Sequence, residues 1–99
     1  MQISEVRNND VITISIEGRV DTNTSPQLQN AILTSFQKVN QIVLDFGHCA
    51  YVSSAGLRAL LIGQKTAISK KGTMKLINVP DILMSVLEVS GFKNILTIE

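Results

Sequence analysis

The chain has 99 residues, enough for one compact unit and too few for a second core. Its 44% hydrophobic and 17% charged residues set it apart from disordered compositions. Nine Lys plus Arg against eight Asp plus Glu leave a net charge of +1, so there is no electrostatic footprint for a phosphate backbone or an acidic bilayer, and neither nucleic acid nor membrane is expected as a partner.

A single cysteine, Cys49, excludes an internal disulfide framework and a cysteine-cluster zinc site, and with one histidine, His48, no metal or other cofactor is expected. The N-terminus Met1-Gln2-Ile3-Ser4-Glu5 lacks the layout of a signal peptide, and the apolar runs fall short of a membrane span. A cytoplasmic location is the expectation.

Ile3 to Val6 predicts a weak strand, and Val11 to Glu17 a strong one, because Ile12, Ile14 and Ile16 alternate with Thr13, Ser15 and Glu17. Asn8-Asn9-Asp10 between them suits a hairpin turn. Thr24-Ser25-Pro26 predicts a helix start with a hydroxyl cap and a first-turn proline, followed by Leu28, Ala31, Ile32, Phe36 and Val39 at helical spacing. Ile42-Val43-Leu44 reads as a short strand buried on both faces, with a loop from Gly47 to Ser53. The second helix carries a stripe of Leu57, Leu60, Leu61 and Ile68 and ends at Lys70-Lys71-Gly72. Met74 to Ile77 is the next strand, Pro80 opens a third helix with Ile82, Leu83, Val86 and Leu87, Gly91 closes it, and Ile95 to Ile98 is the last strand. The order β-β-α-β-α-β-α-β predicts a single α/β domain over residues 1–99, with a mixed, mostly parallel sheet covered by helices.

The most informative segment is Asp45-Phe46-Gly47-His48-Cys49-Ala50-Tyr51-Val52-Ser53-Ser54-Ala55-Gly56-Leu57-Arg58, the link from the central strand into the second helix. Two hydroxyls before a Leu stripe sit where free N–H groups and the helix dipole favour an anion. Taken alone, Ser54 reads more simply as a helix cap.

Asp45-Phe46, the run Tyr51-Val52-Ser53-Ser54-Ala55-Gly56-Leu57-Arg58, Glu17-Gly18-Arg19-Val20-Asp21 and Ser90-Gly91-Phe92 together resemble the STAS domain, the family of anti-sigma factor antagonists, over essentially the whole chain. The resemblance implies a partner-switching protein that binds an anti-sigma factor serine/threonine kinase, is phosphorylated by it on Ser54 with Ser53 as the back-up acceptor, and is reset by a serine phosphatase. It implies no enzymatic activity of the chain's own. Members often carry Asp-Ser-Ser-Gly where this chain has Ser53-Ser54-Ala55-Gly56. The same resemblance places the loop at Asp21 at the partner-facing end beside the phosphorylation loop and implies that Asp21 contacts the kinase; from the residues alone Asp21 is a turn or cap residue.

At 100° per residue, Ala55, Ala59, Ile62 and Thr66 form a second face of the helix, opposite the Leu stripe. That face suits docking of a protein partner, together with Ser53, Gly56 and Arg58 at the helix start, or packing beneath a neighbouring helix of the same chain. Two other readings stand beside the leading one. A related STAS scaffold would regulate a kinase or phosphatase pathway without a sigma factor. A small hydrolase would pair Ser54 with His48, but the sequence offers no orienting carboxylate or oxyanion site around that histidine.

Overall fold

Alternation of apolar and polar residues after Val11 builds a ten-residue strand, and the computed structural model, which describes residues 1–99, sets it in a five-stranded sheet. The elements are β1 (Gln2–Asn8), β2 (Val11–Val20), α1 (Ser25–Phe36), β3 (Gln41–Val52), α2 (Ser54–Ser69), β4 (Thr73–Ile77), α3 (Asp81–Ser90), one 3-10 turn (Phe92–Asn94) and β5 (Thr97–Ile98). The α/β order expected from the sequence is present. β1 and β2 form the hairpin, turning at Asn9 with φ 58°, a conformation asparagine tolerates.

Strand order equals chain order, β1-β2-β3-β4-β5, and every pair after the hairpin is parallel. Right-handed crossovers that all step the same way put α1, α2 and α3 on one face. The buried residues follow suit. Ile12, Ile14, Ile16, Ile42, Leu44, Phe46, Met74 and Leu76 join Leu28, Ile32, Phe36, Leu57, Leu60, Leu83 and Leu87 in one apolar cluster, each fully buried side chain contributing about 1.5–3 kcal/mol. Thr13, Ser15, Val43, Asp45 and Lys75 on the other face are only half-buried. The expectation that Ile42-Val43-Leu44 is buried on both faces is therefore corrected: β3 alternates because no helix covers its second side.

Three further expectations change. The stretch from Gly47 to Val52 is strand, not loop, because β3 goes on pairing with β2 through register shifts between Ser15 and Glu17 and between Gly18 and Arg19. Gly18 takes φ 99° at the second shift, which L side chains rarely adopt. Thr24 occupies the N-cap of α1 but makes no capping bond, its hydroxyl being used by Asp21 and Arg19 instead. Finally, Phe92–Asn94 turns as a 3-10 helix, so the last strand shrinks to Thr97–Ile98.

The inner side of α2 also differs from the Leu stripe. Gly56, Leu57, Ala59, Leu60, Gly63 and Ala67 are buried, Leu61 is half-buried and Ile68 is exposed. Close packing explains the small residues: a Cβ at Gly63 would lie 2.9 Å from Ile32 Cγ2 of α1 and 2.8 Å from Met74 Sδ.

Candidate functional site

β2 and β3 end side by side, with Val20 in register with Val52, and the chain leaves each strand at the same end of the sheet. Ser53 N–H donates to the Val20 carbonyl at 2.8 Å, which ties the start of α2 to the end of β2. Ser53, in extended backbone, is the N-cap, its hydroxyl accepting from Gly56 N–H at 3.2 Å. Ser54 is the first helical residue and is exposed. The reading of Ser54 as the cap is therefore corrected, since Ser53 takes that role and the neighbouring hydroxyl stays at the surface.

Gly56 fixes how closely α2 approaches the strands. A Cβ there would fall 2.7 Å from Val52 Cγ1 and 2.9 Å from Val20 Cγ1, tighter than real contacts. The missing side chain is what lets the first turn of α2, which begins at Ser54, settle against the two strand ends.

Asp21 closes the loop after β2. Its Oδ1 accepts from Asn23 N–H at 2.9 Å, Thr24 N–H at 3.0 Å and the Thr24 hydroxyl at 3.1 Å, while Asp21 N–H donates to Thr24 Oγ1 at 2.8 Å. The Thr24 N–H foremost, with the Thr24 hydroxyl, the Asn23 N–H and the charge of Arg19, holds this carboxyl below its ordinary 3.8 despite some desolvation. A depressed pKa contributes stability above the unfolded value and loses it as pH falls through the folded one. Asp21→Asn should therefore be less stable than the parent at neutral pH, with the gap closing below about pH 4; urea midpoints at several pH values would show it, and a pH-independent gap would count against the carboxylate.

The proposed docking residues divide. Arg58 is exposed, Ala55, Ile62 and Thr66 are half-buried, and Thr66 donates its hydroxyl to the Ile62 carbonyl at 2.9 Å. Ala59 is 1% exposed and Gly56 is buried. As a continuous open surface this face is therefore corrected: Ala59 packs inside because α1 and α2 approach closely, and only its flanks reach solvent.

Sequence reasoning missed a different apolar surface. Ile82, Val86 and Val89 of α3 are 76%, 38% and 90% exposed, and their i, i+4, i+7 spacing forms a stripe beside the buried Leu83 and Leu87. That spacing was available in the sequence. Val86 and Val89 line a shallow groove with Ser54, Leu57, Ser85 and Ser90, so the exposed serine and the stripe share one surface. Next to it, Tyr51, Ala50, Cys49, Pro80 and Ile82 line a cleft of about 270 Å³. The Arg19 guanidinium lies 4.4 Å from the centroid of the Tyr51 ring, a cation–π contact at the rim.

His48 sits on β3 in register with Glu17 rather than in a loop. At roughly 3.3 Å per residue, the strand from His48 to Val52 spans on the order of 13 Å, too far for that imidazole to serve as a base for Ser54 without rearrangement. Cys49 is buried; desolvation foremost raises its thiol pKa, and Sγ donates to the Tyr51 carbonyl at 3.5 Å. This buried thiol is not poised as a nucleophile.

The family model described as "Mlab, STAS domain" matches residues 3–97. The chain belongs to the STAS domain family. This STAS domain is 28% identical over 96 residues to BtrV of Bordetella bronchiseptica, which carries the name anti-sigma factor antagonist, covering 96% of this chain and 83% of that protein. It is also 28% identical over 95 residues to the anti-sigma-B factor antagonist of Listeria monocytogenes, covering 94% of this chain and 82% of the relative. Among solved structures, the Bacillus cell fate determinant SpoIIAA in its phosphorylated form has the same fold, with a TM-score of 0.78 at 20% identity, covering 99% of this chain and 91% of the other. No helix of the STAS domain described here is long and apolar enough to cross a membrane.

Proposed function

We propose that this STAS domain is an anti-sigma factor antagonist working by partner switching in the bacterial cytoplasm. In the unphosphorylated form it binds an anti-sigma serine kinase, is phosphorylated by it on Ser54 and lets go; a serine phosphatase restores the binding form. The domain is the substrate in this cycle, not the catalyst, and it uses no cofactor. The observation that carries the reading is the pairing of an exposed, non-capping Ser54 hydroxyl with Val86 and Val89 of the α3 stripe in one groove. Curated relatives named as anti-sigma factor antagonists support it, as does a fold shared with a protein solved in a phosphorylated form.

Chemistry then supplies the switch. An apolar surface gains roughly 25 cal/mol per Å² when a partner covers it, and that gain requires the groove to be dry. A phosphate on Ser54 adds about −1.5 to −2 charges at the start of α2, where the helix dipole tolerates them, while burial against an apolar partner costs several kcal/mol unless cations match it. The isolated fold survives and the complex does not.

Val89→Glu tests the surface. Val89 is 90% exposed, so the change should leave the melting temperature within about a degree, yet weaken binding to the source organism's purified anti-sigma serine kinases by at least about tenfold. Unchanged affinity in titration calorimetry would remove the α3 stripe from the interface. Failure of every such kinase to bind the parent protein would remove the function itself.

A further inference from the structure

We propose that the outer edge of β1 pairs with the same edge of a second copy of this chain, antiparallel and about a two-fold axis through Val6. β1 is the end strand of the sheet and pairs with β2 alone. No backbone hydrogen bond outside that pairing reaches residues 2–8, so alternate N–H and C=O groups face outward along the strand.

Charge selects the register. Glu5 and Arg7 are both exposed and lie on the same side of β1, opposite Ile14 and Ile12, and neither has an ion-pair partner within the chain. Arg7 Nε donates to the Asn9 carbonyl of the hairpin turn at 3.2 Å. A two-fold centred on Glu5 or on Arg7 would bring like charges together. Centred on Val6, it places Glu5 of each copy opposite Arg7 of the other, twice over, with Ser4 opposite Asn8. Charged side chains commonly blunt an exposed edge against pairing, but opposite charges two residues apart make this one self-complementary.

Packing agrees with that register. Val6, 64% exposed on the face without helices, meets its own copy across the axis. On the other face Glu5 and Arg7 are both exposed. Two five-stranded sheets then become one of ten, joined by about four to six backbone hydrogen bonds.

Sedimentation equilibrium of the full chain, from about 1 μM to about 0.5 mM, should show a monomer–dimer equilibrium. Glu5→Arg and Arg7→Glu should each weaken dimerisation at least about tenfold, and the double exchange should restore it to within about threefold. Val89→Glu is the control and should leave the dimer intact. A monomer at every concentration, single reversals without effect, a double exchange that does not restore pairing, or a dimer lost in Val89→Glu would each overturn the proposal. Circular dichroism of every variant confirms that a lost dimer is not a lost fold. Kinase binding plays no part in this test, so the two ideas fail independently.

Discussion

Ser54→Ala should take up no phosphate from an anti-sigma serine kinase and should hold that kinase in the presence of ATP, under conditions in which the parent protein is released. The hydroxyl lost is exposed and caps nothing, so the melting temperature should stay close to the parent's. Ser54→Asp should lose part of the affinity, because one charge at the first residue of α2 imitates only part of a phosphate. Ser53→Ala separates the two hydroxyls. It removes the bond to Gly56 N–H and should cost about 0.5–2 kcal/mol of stability while still accepting phosphate at position 54. Mass spectrometry of the phosphorylated peptide, with affinities before and after modification, decides the matter. Label confined to Ser53, or equal affinity of both forms, would remove Ser54 as the switch.

The second large effect should come from Gly56→Ala. The added methyl must displace Val52, Val20 or the first turn of α2, since both Cγ1 atoms lie within 3 Å of where it would go. Overpacking of this kind costs about 1–3 kcal/mol, against which the gain in helix propensity is about 1 kcal/mol. The variant should therefore fold with reduced stability and a shifted helix start. Kinase affinity should fall by more than the lost stability accounts for, because Ser54 moves with the turn. Leu60→Ala is the contrast: it truncates a fully buried side chain away from the groove and should cost about 2–5 kcal/mol with the affinity of the folded fraction unchanged. If Gly56→Ala binds like the parent, the close approach of α2 is packing alone.

Hydrophobic periodicity has one structural solution in some elements of this chain and two in others. β2 is legible because Ile12, Ile14 and Ile16 leave no other face for the core. α2 is apolar or small on both sides, so 100° spacing fits either side inward; close contact with Ile32 and Met74 decided for Ala59 and Gly63 over Leu61 and Ile68. α3 has the same ambiguity, resolved in favour of Leu83 and Leu87, which leaves Ile82, Val86 and Val89 outside. The end of β3 was hidden for another reason: Gly47-His48-Cys49 has the composition of a turn, and only its pairing with β2 across two register shifts keeps it extended. The position of Ser54 at a helix start was readable, but the choice of Ser53 as cap depends on a backbone angle that sequence does not display.

Strand order that repeats chain order means that no strand has to be threaded between two already paired. During synthesis from the N-terminus, the hairpin can form first, and each later strand adds to the free edge its predecessor left. The groove at Ser54 takes one wall from α2 and the other from α3, which ends at Ser90. A nascent chain can therefore carry an extended sheet and a finished first turn of α2 well before it has a complete groove. A partner that reads both walls would meet that surface only on molecules translated almost to their last strand, and truncated products would pass it unrecognised.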